Sequence, residues 1–412
     1  MNTTATNRKT KTVILVFLIF GELLSTFDKV AINVAVIPIS KEFGLTETQM
    51  GLVISSFFIS FAIMQPIGGS LADRFGTRKV IVISLITWSV ITIFTGLTWS
   101  LASLITIRFL FGIGEGSYPA ASVAAIGETF PFEERSRAKS TLSAGGKIGG
   151  ALGSLFVAGL ITGFGWKLMF VILGCVGLLL SPLYIKYYHP GGTDVQKHGT
   201  NERITLIELF KKPLLWKLMA VYFGFSIVSW GSQSWLPSYM VNVHHLNLVS
   251  MGALITIPAI LTIVGVIGIG WILDKYVAGR EKIVIITGSL TTMISLLFMT
   301  QSPSIVEVLI CMTIASISIV SGVVTIFTII LKHIPDSGVG RASGWIYLSG
   351  NFAGVVAPTV MGFMIERFNG SYEAGFWFLI AALIISLLIG LTIQTNSDKT
   401  NKKEREIGFQ VQ

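Results

Sequence analysis

Cysteine, charge and long polar stretches are what this 412-residue chain has least of. Its two cysteines, Cys175 and Cys311, both fall in apolar runs and supply neither a disulfide framework nor a metal-ligating set. Charged residues make up 12% and hydrophobic ones 52%, with a mean hydropathy of +0.75, which excludes an ordinary soluble domain. No Gly-x-x-x-x-Gly-Lys-Ser/Thr loop occurs, so an ATP-driven pump is disfavoured. The chain reads as no enzyme, with no cofactor and no metal. The longest internal polar interval, His189–Pro213, is 25 residues, and the tail after it is short; neither gives room for a signalling domain.

What is present is apolar sequence in lengths that suit a bilayer, roughly 20 residues each. Twelve runs are read: Thr12–Ile39, Met50–Leu71, Val80–Leu97, Leu101–Phe130, Ala138–Thr162 and Trp166–Tyr187. Beyond the polar interval come Leu214–Val243, Ser250–Leu273, Ile283–Thr300, Ser304–Leu331, Ala342–Ile365 and Ala374–Ile393. The first run has no small-residue cleavage site after it and is read as a retained helix. The net charge of +9 does not point to nucleic acid. Of 30 lysines and arginines, 24 lie at the N-terminus, in or at the edges of alternate loops (after Leu71, Phe130, Tyr187, Leu273 and Leu331) or in the tail. The opposite loops hold Lys41, Lys167 and Arg367, and three more cations lie inside spans. This asymmetry places both termini in the cytoplasm of a plasma-membrane protein.

The two sets of six runs repeat one another. Gly69-Ser-Leu-Ala-Asp73-Arg74 is matched 201 residues later by Gly270-Trp-Ile-Leu-Asp274-Lys275. Arg137-Ala138 is matched 204 residues later by Arg341-Ala342, and the same offset carries Gly146, Lys147 and Gly150 onto Gly350, Asn351 and Gly354. The expected organisation is therefore a six-helix bundle over 1–188, a cytoplasmic linker over 189–213, a second bundle over 214–394 and a cytoplasmic tail over 395–412. A surface helix is expected over Glu202–Lys212. Parallel six-span repeats are a transporter architecture, with the site near the midplane.

The loop Gly69-Ser-Leu-Ala-Asp73-Arg74-Phe-Gly76-Thr-Arg78-Lys79 resembles the signature between the second and third helices of the major facilitator superfamily. Three further stretches resemble its anion:cation symporter branch: Phe27-Asp28-Lys29, Arg108-Phe-Leu-Phe-Gly-Ile-Gly-Glu115-Gly-Ser-Tyr-Pro-Ala120, and Trp235-Leu-Pro-Ser-Tyr239. The resemblance covers the whole chain and implies an all-α membrane protein of twelve helices in two pseudo-symmetric bundles. It also implies import of an organic anion such as a hexonate, hexuronate or aldarate, coupled to protons. The matching acids, Asp28 and Glu115, are then the expected protonation sites, and the cation at Lys29 (usually arginine in that branch) contacts the substrate. This chain departs from the branch in carrying Phe61 where tyrosine is common, Lys147 where an amide is common, and Glu22.

Six ionisable residues fall inside spans: Glu22, Asp28, Lys29, Arg108, Glu115 and Lys147. A charge at membrane depth costs at least a few kcal/mol and faces a partner or water. From the helical rise, Asp28 lies roughly 16 Å and Arg108 roughly 10 Å from the outer side, which suggests that they pair; Glu22 and Glu115 both lie roughly 20–25 Å in. Two carboxylates at one depth tend to share a proton. Glu22, Ser25, Lys29 and Asn33 form one polar stripe, from which Asp28 points about 100° away. Gly145, Gly149 and Gly153 form a packing stripe, with Lys147 opposite it and Asn351 its repeat mate.

Aromatic and amide residues of the seventh and eleventh spans (Trp230 and Gln233; Tyr347 and Asn351) suit a hydroxylated carbon chain. The loop residues Gly69, Asp73, Arg74, Gly76, Arg78 and Arg341 are read as a conformational switch, with Asp73 accepting from the start of span eleven. The reading is a monomeric secondary transporter taking an organic anion with H+ by alternating access. An efflux antiporter for drugs or lipids is the first alternative, weakened by the missing Gly-Pro pair in span five. A non-transporting anion sensor is the second. A sodium-coupled mode is not favoured, because no carboxylate-rich unwound segment stands out.

Overall fold

The computed structural model describes residues 8–189, 206–276, 281–334 and 336–393. Most of the linker read over 189–213 and the tail read over 395–412 lie outside them. The described residues form thirteen helices and no strand. In chain order these are α1 (Arg8–Phe43), α2 (Glu47–Phe75), α3 (Thr77–Gly96), α4 (Leu101–Gly116), α5 (Tyr118–Thr129), α6 (Phe132–Tyr187) and α7 (Leu206–Phe210). Then come α8 (Pro213–Asn242), α9 (Leu248–Tyr276), α10 (Glu281–Gln301), α11 (Ile305–His333), α12 (Asp336–Arg367) and α13 (Tyr372–Leu391).

Nine described helices are long and apolar enough to cross a membrane. Three features bring the crossings to the expected twelve. α6 is two spans joined at Gly165, whose φ of 80° and ψ of 161° interrupt the helix. The run Leu101–Phe130 is broken into α4 and α5 at Ser117, just before Pro119, and α1 covers the first expected run, Thr12–Ile39. The surface helix expected over Glu202–Lys212 is the single turn α7 within the described residues.

Ends are set locally. Thr46 and Gln49 form a reciprocal capping box at the start of α2, and Ser100 with Ser103 does the same for α4. Gly76 ends α2 and begins α3 with φ 86°, ψ 144°, a conformation closed to residues with a Cβ, so the signature loop turns here because it has glycine here. Beyond the turn, Thr77 donates to Glu128 at 2.6 Å and Arg78 donates to the Ile185 carbonyl, which ties the start of α3 to α5 and to the end of α6.

Contacts divide the chain into two units. The first comprises residues 1–199, 233–257 and 358–367; the second comprises 200–232, 258–357 and 368–412. In the first unit α1 packs on α6, α2 on α4, and α3 on α4 and α6. The glycines of the fourth-span motif explain this closeness. A Cβ on Gly112 or Gly116 would strike α2 at Ser60, Phe57, Phe61 and Met64, and one on Gly114 would strike the backbone of Trp88 on α3. The stripe Gly145, Gly149 and Gly153 lies on α1, against Ile19, Leu23, Thr26, Phe27 and Val30. In the second unit α10 packs on α11 and α13.

The first unit also contains a seal near the α1–α2 turn, where segments from both sequence halves meet. A Cβ on Gly51 of α2 would lie 2.5 Å from the Pro358 carbonyl oxygen and 2.7 Å from Thr359 Cα; one on Gly252 of α9 would lie 2.7 Å from the Ser154 carbonyl oxygen and 2.9 Å from Leu155 Cα. Beside each glycine, one turn on, a hydroxyl closes the seam. Thr359 Oγ1 donates to Ser55 Oγ at 2.8 Å, and Thr256 Oγ1 donates to the Ala151 carbonyl at 2.8 Å. The repeat generates the pair of contacts: Gly51 and Ser55 map onto Gly252 and Thr256 at offset 201, and Ser154 and Leu155 onto Pro358 and Thr359 at offset 204. Further contacts complete it, with Trp235 Nε1 donating to the Pro358 carbonyl at 2.9 Å and Thr48 N donating to Glu366 at 3.2 Å.

Candidate functional site

The polar stripe of α1 meets the motif glutamate of α4. Glu115, fully buried, takes the Lys29 ammonium at 2.6 Å and the Ser25 hydroxyl at 2.5 Å, both on Oε1. Lys29 Nζ also lies 3.0 Å from Ser25 Oγ and 5.1 Å from the centre of the Phe61 ring. Three groups from two helices thus close a triangle, because Ser25 and Lys29 are four residues apart and share a face. Phe61 of α2 is its apolar floor, with no hydroxyl to compete for the ammonium. Glu115 Oε2 has no protein partner, and neither does Asn33 Oδ1, two turns along α1 from Ser25. The Lys29 side chain keeps 24% of its surface accessible, so this ion pair is reachable from one side.

Asp28 and Arg108, expected to pair, make no ion pair with each other. Arg108 is buried. It donates to Thr95 Oγ1 at 3.1 Å and lies between the Phe111 and Phe170 rings, 5.0 and 4.9 Å from their centres. The ring faces offset part of the cost of that buried charge. Asp28 is also buried and lies beside Thr92; its Oδ1 and Arg108 Nε have no partner at hydrogen-bond distance among the described residues.

Glu22, the other carboxylate of the stripe, lies beside the backbone of α6: a Cβ on Gly146 would be 3.1 Å from its Oε1. Among the described residues it makes no ion pair. Lys147 projects from the side of α6 opposite the glycine stripe, exposed and without an ion-pair partner among the described residues. Gln233 is exposed in α8, within the first unit.

Three candidates belong to the second unit. Trp230 Nε1 donates to the Gly350 carbonyl at 3.1 Å, and Gly350 packs against the Tyr222 ring. Tyr347, half exposed, stacks near Phe327 with ring centres 4.8 Å apart and meets Tyr222 edge-on at 6.1 Å. Asn351 is half-buried one turn beyond Tyr347 on the same helix.

Of the switch residues, Gly76 and Arg78 hold the α2–α3 turn, Gly69 packs loosely on Ala120, Asp73 is exposed, and Arg74 lies over the Phe75 ring. Arg341 is exposed near the start of α12. The second-copy residues Asp274 and Lys275 fall in the last turn of α9.

Sequence reasoning passed over two residues that shape the site. Ser25 is the third member of the Lys29–Glu115 triangle, and its place on the stripe was the available signal. Tyr118 of the fourth-span motif donates to the Leu18 carbonyl at 2.7 Å, and Gly21 leaves room for its ring. No pattern announced that bond.

A family model described as Major Facilitator Superfamily matches residues 18–358 and 279–410. The hexuronate transporter of Bacillus subtilis is 26% identical over 387 residues, covering 89% of this chain and 91% of that protein. A probable sulfoacetate transporter of Cupriavidus necator is 28% identical over 429 residues, covering 97% and 98%. A probable galactarate/D-glucarate transporter of Escherichia coli is 25% identical over 424 residues, covering 93% and 94%. Among solved structures, a bacterial homolog to the human lysosomal transporter Spinster, inward-facing and unoccupied, superposes with a TM-score of 0.81 at 20% identity. That match covers 93% of this chain and 96% of the other. It speaks for the fold.

Proposed function

The chain belongs to the major facilitator superfamily, and from that premise we propose that it imports a small organic anion together with protons by alternating access. The observation that carries the proposal is the 2.6 Å pair between Lys29 and the buried Glu115, open on the lysine's side. An anionic substrate and the Glu115 carboxylate are rivals for one ammonium. When Glu115 is charged, Lys29 is already neutralised and offers an anion little. When Glu115 takes a proton, Lys29 is released with its charge and can hold a carboxylate. Substrate binding and proton binding then favour one another, which is the linkage a symporter needs. Asp28, buried and without an ion pair among the described residues, is the second proposed protonation site, with Arg108 proposed to act beside it in coupling. Glu22 is the third proposed carboxylate.

Relatives named for hexuronate, aldarate and sulfoacetate transport support an organic acid as the cargo. Asn33, Phe61, Gln233, Lys147, Trp230, Tyr347 and Asn351 are proposed to contact it. The excess of basic residues at the N-terminus and in alternate loops supports cytoplasmic termini in a plasma membrane, so that the seal at Gly51 and Gly252 closes the outer side. The protein is proposed to work as a monomer of two six-helix bundles, 1–188 and 214–394, joined by a cytoplasmic linker over 189–213, with a tail over 395–412.

Protein reconstituted in liposomes with a pH-sensitive dye tests this. Hexuronate, aldarate and sulfoacetate are added in turn and external pH is followed. External alkalinisation with one anion, abolished in Glu115→Gln, is the expected result. Anion uptake with no proton movement in wild type would remove proton coupling, and no uptake of any of them would remove the anion reading.

A further inference from the structure

Lys147 is a cation inside a membrane span with no carboxylate within ion-pair distance among the described residues. Its direction can be read from its own helix. Ala151 and Ser154, four and seven residues on, receive Thr256 and Gly252 of α9 at the seal, whereas Gly145, Gly149 and Gly153 face α1. Residues at i, i+4 and i+7 share a helix face. Lys147 therefore lies on the sealing face of α6, roughly 6 Å further from the closed end than Ala151, where that face is exposed. The side presented to α1 is elsewhere. Its repeat mate Asn351 stands in the same relation to Pro358, seven residues before it on α12.

Apart from Arg108, buried between two rings, the first unit holds two further cations inside spans, on separate helices and with opposite electrostatic circumstances. Lys29 has a partner that it can exchange, Glu115. Lys147 has none to exchange among the described residues, so its charge is matched when cargo supplies the anion. A cargo with one acid group that takes Lys29 leaves Lys147 unmatched at membrane depth, which is costly. A cargo with two acid groups matches both. We propose that the substrate is a small dianion, one acid group on Lys29 and the second on Lys147, and that Lys147 is the residue that selects two charges over one. With Glu115 protonated, the two ammonium groups and the two acid groups sum to zero charge. The inference rests on the anion-import reading above and adds the charge of the cargo to it.

The test uses purified full-length protein and calorimetric binding, which needs no transport. Glucarate and glucuronate are compared because they share a hydroxylated six-carbon chain and differ in the number of carboxylates; sulfoacetate is a short dianion. Wild type is expected to bind glucarate or sulfoacetate at least about tenfold more tightly than glucuronate, the size of one charge-assisted contact. In Lys147→Gln that preference falls to within about twofold; Lys147→Arg keeps it. Equal affinity of wild type for one-charge and two-charge anions overturns the proposal, as does a preference that survives Lys147→Gln. Tighter binding of glucuronate overturns it too and leaves anion import standing. Binding of none of the three overturns both readings together. The wild-type comparison decides even if a variant fails to fold.

Discussion

Replacing Gly252 by alanine should loosen the whole seal, including the contact that Gly252 does not make. The added Cβ would sit 2.7 Å from the Ser154 carbonyl oxygen and 2.9 Å from Leu155 Cα, where ordinary contact begins at 3.4 Å. Both obstacles are main chain and cannot rotate away, so α9 and α6 must part by about 0.7 Å at this point. Overpacking of that kind costs about 1–3 kcal/mol, and here the cost falls on the sealed state alone. The gain in helix propensity from glycine to alanine acts in both states and cancels. The open population should therefore rise by about 5- to 150-fold. Ser55, at the other seal contact, reports it. In a background with Cys175 and Cys311 replaced, Ser55→Cys is labelled with a membrane-impermeant maleimide from the sealed side. Gly252→Ala should accelerate labelling by that factor, and Gly51→Ala should act in the same direction, since its Cβ meets Pro358 and Thr359 backbone just as closely. Labelling no faster than in the parent would refute the view that the two glycine contacts form one seal.

Other consequences follow from single residues. Gly76→Ala forces a side chain into φ 86°, ψ 144°, and should cost about 1–3 kcal/mol, read as a lower melting temperature in detergent; an unchanged melt would contradict the strain argument. Glu42, outside the spans, accepts from Trp166 Nε1 at 2.7 Å and pairs with Lys167, and the Lys167 hydrogen bond holds its carboxyl below the ordinary range. Its stabilisation is present above that ordinary value and is lost as pH falls through the depressed one. Because the pair is exposed, Glu42→Gln should cost less than about 1 kcal/mol near neutrality, and the difference from wild type should vanish in acid; a gap that persists below about pH 3 would assign the effect to packing.

The helices were legible because a bilayer demands long apolar runs and the chain marks their ends with serine, glycine and basic residues. The polar stripe Glu22, Ser25, Lys29 and Asn33 was legible for the same reason: spacing on one helix is fixed by geometry. Partners across helices were not. Asp28 and Lys29 are adjacent, both at a depth that could reach α4, and which of them meets Arg108 or Glu115 depends on how α1 is rotated. Gly145, Gly149 and Gly153 set that rotation by packing on α1, turning Ser25 and Lys29 toward Glu115. The break at Ser117 was equally hidden, since Leu101–Phe130 is apolar throughout. The seal lay between these extremes: the offsets 201 and 204 relate its residues pairwise, yet only the coordinates reveal that glycine meets backbone at both.

The competition between cargo and Glu115 for Lys29 is the centre of this account, and one comparison tests it directly. Liposomes containing either wild type or Glu115→Gln are loaded with aldarate, and exchange of labelled aldarate is measured beside uptake driven by a proton gradient. The account predicts that Glu115→Gln, whose amide carries no charge to neutralise Lys29, exchanges cargo but no longer accumulates it when a gradient is imposed. Gradient-driven accumulation at the wild-type level in Glu115→Gln would contradict it.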